Sequence, residues 1–180
     1  MSDRPDAGSG RSMRSRDVLT YAYEQIAETV TGTVEGLGPD DLARRVQPGA
    51  NPIGWLVWHL LRVQDDHVAE VAGTGQVWTA GGWAGRFGLP VDDAATGYGM
   101  GDEEVDAVRV PSADLLLGYS QAVHARTAEF LRGLSDEDLD RVLDTNWDPP
   151  VTLGVRLVSV LADDLQHLGQ AAYVRGLLGA

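Results

Sequence analysis

Residues 152–178 read as one long amphipathic helix, and this stretch narrows the possible folds more than any other. Leu157, Val160, Leu161, Leu165, Leu168, Ala171 and Val174 recur at helical spacing, the mark of a helix with one face in a core. Within or beside that stripe stand Asp163 and His167. Four residues apart on a helix, their side chains lie one above the other on a single face. A carboxylate and an imidazole withdrawn from water need a partner. Two arrangements meet that need. They can hydrogen-bond within the bundle with no ion, or a metal ion can bind both and take a third donor from another helix. His59, the only histidine in the apolar run from Trp55 to Leu61, is the best third donor.

Three further long helices are expected. The first runs from about Asp17 to Glu35, with Leu19, Tyr23, Ile26, Val30 and Val34 on one face, and Gly36 and Gly38 stop it. The second starts at Asn51 as N-cap, with Pro52 in the first turn, and continues to about Ala72 before Gly73 and Gly75. The third starts near Ser112 and carries Leu115, Leu116, Tyr119, Val123, Thr127, Phe130 and Leu131 to Gly133. Short acidic helices fit Asp41 to Val46 and Ser135 to Val142. Strand-type alternation is not visible. Residues 73–111 are Gly-rich, with Trp78, Trp83, Phe87, Tyr98 and Met100 scattered among them. A connection this long is uncommon in a compact domain and often forms a functional wall; its aromatics predict that it packs down. Residues 1–13 are polar, Gly/Ser-rich and aperiodic, which predicts a disordered leader ahead of one domain over 14–180.

The two halves of the chain look alike. Leu37-Gly-Pro-Asp-Asp-Leu42 and Leu134-Ser-Asp-Glu-Asp-Leu139 each follow a long helix, and each precedes a proline-containing loop and another long helix. Those later helices open with a first-turn glycine, Gly54 and Gly154, ahead of an apolar run. A doubled helix pair gives an all-α four-helix bundle. The long middle connection allows a crossover in place of a strict up-down order.

Composition removes several function classes. The chain has no cysteine, which excludes disulfides, zinc–thiolate sites and a cysteine nucleophile. The formal net charge is −13, and every basic residue is Arg, so nucleic acid is not the expected partner. No apolar run reaches the length of a membrane span, and the N-terminal arginines lead into no signal-type apolar segment. A soluble cytoplasmic protein is the expectation.

His59 within Gly54-Trp55-Leu56-Val57-Trp58-His59-Leu60, together with Asp163-x-x-x-His167-x-Gly169-Gln170, resembles the DinB-like superfamily. Within it the chain is most similar to actinobacterial mycothiol-dependent maleylpyruvate isomerase-like and mycothiol S-transferase-like proteins. The resemblance covers nearly all of residues 14–180. It implies a four-helix bundle holding a divalent metal, zinc or nickel, through His59, Asp163 and His167. Family members carry His or Glu where this chain has the shorter Asp163, and Asp164 is the neighbouring carboxylate that a rotated helix would offer. The implied activity is a metal-dependent thiol S-transferase or isomerase, with mycothiol or a similar small-molecule thiol and an electrophilic substrate as partners. The resemblance is also compatible with a homodimer, and with a non-catalytic stress-response or ligand-binding bundle whose metal site has degenerated.

Two imidazoles and one carboxylate form an open donor set of the kind found in catalytic zinc sites, and the same donors accept nickel. An open position takes water or a thiol, whose pKa the ion lowers. Around these ligands, Asp66 lies seven residues after His59 and is placed either to orient a ligand or to pair with an arginine. Arg62 lies three after His59 and could meet an anionic substrate group or bridge to Asp66. Gln170, three after His167, could bond within the site or satisfy a buried polar group. His67 and His124 lack partners at metal spacing and read as surface or boundary residues; Trp55 and Trp58 read as core.

Overall fold

The computed structural model describes residues 13–179, so the expected leader lies, apart from Met13, outside the described residues. Four long helices, α1 (Ser15–Val34), α3 (Ile53–Ala72), α7 (Ala113–Arg132) and α8 (Leu153–Leu178), form the bundle. They pack as a ring in which α8 touches α3 and α1, and α7 touches the same two. Successive long helices α1 and α3 therefore sit diagonally. Hydrogen bonds fix the directions. Tyr23 Oη donates to Leu157 O and Arg175 donates to Gly32 O, so α1 and α8 run parallel. Arg16 reaching Arg132 O makes α1 and α7 antiparallel. Gln64 bonding Thr127, and Arg62 bonding Tyr119, make α3 and α7 parallel. Two parallel neighbours joined in sequence require the chain to travel back the length of the bundle, which is the work of residues 73–112.

The core stripes follow the helical spacing. Leu19, Tyr23, Ile26, Val30 and Val34 are buried on α1, and Leu157, Val160, Leu168, Ala171 and Val174 on α8. One expectation fails on α8. Leu165 faces outward, 56% exposed, while Asp164, one residue before it, is fully buried. Both α7 and α8 begin at hydroxyl caps, Ser112 accepting from Leu115 N and Thr152 from Val155 N. The second long helix starts later than Asn51: its cap is Pro52, with no side-chain cap bond.

The pseudo-repeat has a packing reason. The first short helix, α2, spans Pro39–Ala43 and ends before Val46. A Cβ built on Gly54 would come within 2.9 Å of Leu42 O, and one on Gly154 within 3.3 Å of Leu139 O. In both halves a glycine in the first turn of a long helix lets a preceding short segment lie directly on it. The second such segment is a single 3-10 turn, Glu137–Asp140, and not a helix from Ser135 to Val142. A small antiparallel pair follows, β1 (Val142–Asp144) with β2 (Val151–Thr152), which alternation did not reveal because the strands are only three and two residues long.

The 73–111 connection is built from three short helices, α4 (Val77–Ala80), α5 (Trp83–Phe87) and α6 (Asp102–Ala107). Its aromatics do pack down: Trp78 and Phe87 are each 2% exposed and touch the Tyr119 ring. Tyr98, 93% exposed, does not.

Candidate metal centre

Three side chains from the α3/α8 seam converge. His59, Asp163 and His167 each offer a ligand atom, and these atoms lie within 4.8 Å of one another. The antiparallel run of α3 against α8 brings His59 opposite the i,i+4 pair on α8. The two imidazole centroids are 4.6 Å apart, edge to face, and His167 Nε2 lies 3.5 Å from Asp163 Oδ1.

The backbone selects which nitrogen His59 presents. Its Nδ1 lies 2.5 Å from Thr96 O, and a carbonyl can only accept. Nδ1 therefore carries the proton, and the lone pair on Nε2 is left for a ligand bond. Burial lowers the His59 pKa, and the nearby His167 pushes it the same way, so the neutral, ligating form is favoured. The Trp55 ring stacks on the imidazole at 4.7 Å and 17° and fixes its plane. Trp55 and Trp58 are core residues, as expected, and Trp55 serves the site as well.

On α8 the shifts run in opposite senses. A hydrogen bond from His167 holds the Asp163 carboxyl below its usual range, and that same bond raises His167. The nearby Gln170 side chain also raises His167. Asp163 Oδ2 is shielded from solvent and has no hydrogen-bond partner among the described residues. An ionised carboxylate with one orphaned oxygen, a neutral imidazole with a free lone pair and a second imidazole fit a divalent cation. A cation would take the place of the proton that His167 and Asp163 share in its absence.

Other expected residues are placed differently. Asp164, the alternative ligand, points into the core and lies outside the cluster. Arg62 is fully buried and cannot meet a substrate. It donates to Ala95 O, to Gln76 and to Asp65, not to Asp66. Since Ala95 adjoins Thr96, Arg62 acts on the site through the loop that orients His59. Asp66 accepts from the Gln76 side chain; the acceptor that orients His59 is a backbone carbonyl. The loop must also lie very close. Gly97 has φ +95°, and a Cβ there would stand 2.7 Å from His59 Nδ1. His124 lies away from the cluster, beside Glu24 and Glu28.

The donor group opens onto a cleft of about 500 Å³, lined by His59, Val63, Asp66, Thr96, Tyr98 and Asp163 and, toward its far end, by His67 and Arg156. Spacing could have found two of these. Arg156 is seven residues before Asp163, and His67 eight after His59, so each shares its helix face with a ligand. Asp65 carried no such signal. It is a buried hub whose oxygens accept from Val77 N, Trp78 N and Tyr119 Oη.

A comparison with family models matches residues 22–171 to the DinB superfamily. The chain belongs to the DinB superfamily. A crystal structure of a conserved protein from Enterococcus faecalis is similar, with a TM-score of 0.86 and 29% sequence identity, over 94% of this chain and 100% of that one. A comparison with curated proteins found no match. The all-α bundle expected from the helical stripes, and the DinB-like fold that the resemblance implied, are observed. Among the described residues, no helix of this DinB-superfamily chain is long and apolar enough to cross a membrane.

Proposed function

We propose that this DinB-superfamily chain is a metal-dependent enzyme that uses a small-molecule thiol, of the mycothiol type, as an S-transferase or isomerase. The observation that carries this reading is the convergence of three donor atoms within 4.8 Å, two of whose residues, His59 and Asp163, line an open cleft. Zinc or nickel bound there would lower the pKa of a coordinated thiol and keep it as thiolate at neutral pH. His59, Asp163 and His167 hold the ion. Thr96 O fixes the His59 tautomer. The thiol comes from outside, because the chain has no cysteine. The cleft gives the thiol and its electrophile a common space, with Val63, Val160 and Tyr98 as apolar walls.

Metal analysis of untagged protein, followed by a thiol-conjugation assay, tests the reading. The wild type should carry about one equivalent of divalent metal. His167→Ala should lose both the metal and thiol-dependent turnover, while far-UV circular dichroism stays unchanged; His124→Ala should lose neither. Wild-type metal affinity in His167→Ala would overturn the ligand assignment. A wild type that binds no divalent metal would leave the non-catalytic bundle as the better account.

A further inference from the structure

We infer that the cleft beside the donor group takes a ligand ending in a carboxylate, and that Arg156 holds that end. The inference rests on the proposed metal centre for the other end of the ligand, and on independent features for this one.

Arg156 stands two helical turns before Asp163 on the same face of α8, about 10 Å along the axis. Its guanidinium is already immobilised from across the cleft. Nη1 lies 2.9 Å from His67 Nδ1 and 3.3 Å from Glu70 Oε2, both on α3. Its hydrogen bonds fall on that one nitrogen, so among the described residues the Nε–Nη2 edge has no acceptor. This edge is the fork that matches a carboxylate with two parallel hydrogen bonds. The Glu70 side chain is 66% exposed, and such a solvated ion pair is weak enough to share its cation with an incoming anion.

Between Arg156 and the donor group the lining is mainly apolar, with Val63 and Val160 beside Asp66 and Ser159, whose hydroxyl is turned back to Val155 O. Tyr98 stands over this lining, 93% exposed although it lines the cleft. Its neighbours Gly97 and Gly99 have φ of +95° and +75°, so this ring is presented on a tight turn and held out of the core. An exposed aromatic beside an apolar wall gains from covering an apolar ligand segment. The ligand thus has a metal-binding head, an apolar middle and an anionic tail. A single negative charge suits the tail better than a phosphate dianion, because Glu70 already pairs with the one arginine and Asp66 and Asp163 also line the cleft.

Two calorimetric titrations test this at fixed ionic strength. Metal-free protein is titrated with hexanoate and with hexanamide, and zinc-loaded protein with 6-mercaptohexanoate and with 6-mercaptohexanamide. In both pairs the wild type should prefer the acid by about tenfold, the size of a charge-assisted bidentate contact. Arg156→Gln should bring acid and amide to within about twofold, with zinc content and circular dichroism unchanged. Arg156→Lys keeps the charge but not the fork and should also lose most of the preference; it decides the matter if the Gln variant misfolds. Tyr98→Ala should weaken acid and amide alike. No acid preference in the wild type, or a preference that survives both Arg156 variants, would overturn the inference. A wild type that prefers hexanoate yet binds no zinc would sink the metal reading and leave the anion subsite standing.

Discussion

Asp163 and Asp164 are chemically identical neighbours with opposite fates. Asp163 reaches the α3/α8 seam, where hydrogen bonding from His167 lowers its pKa. Asp164 is fully buried, and neither of its oxygens has a hydrogen-bond partner among the described residues. Burial, reinforced by the Asp163 charge, pushes its carboxyl well above the ordinary range. In the unfolded chain Asp164 ionises near its usual value of about 3.9, so above that pH the native state binds the extra proton. Stability then falls as pH rises, until the folded-state pKa is passed. Asp164→Asn removes the ionisation at nearly constant volume. The variant should melt close to wild type near the unfolded-chain pKa and progressively above it toward neutrality, as scanning calorimetry across that range would record. A difference independent of pH would show that Asp164 is not protonated in the fold.

At the scale of elements, the 73–111 connection is a wall bolted to the bundle by a few charged groups. Asp65 accepts the backbone N–H groups of Val77 and Trp78, which open α4, and pairs with Arg62 at 3.4 Å. Arg62 in turn holds Ala95 O, next to the Thr96 carbonyl that orients His59. Both side chains are almost completely buried. Removing one partner of a buried pair typically costs about 3–5 kcal/mol, because the other charge is left uncompensated. Asp65→Ala should therefore lower stability by about that amount in urea titrations. Amide exchange should quicken first across residues 76–97, and metal affinity should fall although no ligand has changed. Exchange that quickened evenly over the bundle would show that the connection is not a separate unit. The paired glycines 54 and 154 work at this scale too, setting how closely each short segment sits on the helix that follows it.

The whole molecule carries 27 acidic against 14 basic residues, and self-repulsion at that imbalance opposes the compact state. Raising salt from about 10 mM to about 1 M shortens the screening length from about 30 Å to about 3 Å, so the melting temperature should rise along that series. A flat profile would mean that local ion pairs such as Arg45 with Asp106, at 2.8 Å, already compensate the excess. The ring order of the bundle also belongs here. With α1 diagonal to α3, and α7 and α8 both next to α3, His59 faces α8 across a seam, not through a turn.

Sequence alone located the four long helices and the three donor residues that converge. Helical spacing of apolar residues is a local property, and it located four long helices because each must bury one stripe. Asp163 and His167 were legible for the same reason, and His59 because an imidazole in an apolar run needs a partner. Features without a local signature were decided only by the tertiary structure. No spacing rule sends Asp164 inward and Leu165 outward, since rotation of a helix about its axis is fixed by every neighbour at once. Arg62 could be paired with Asp65 instead of Asp66 only once the connection had folded over it. The orientation of His59 depends on a carbonyl thirty-seven residues away. Arg156 and His67 meet across one end of the cleft because α3 and α8 pack antiparallel, and that pairing is a long-range contact.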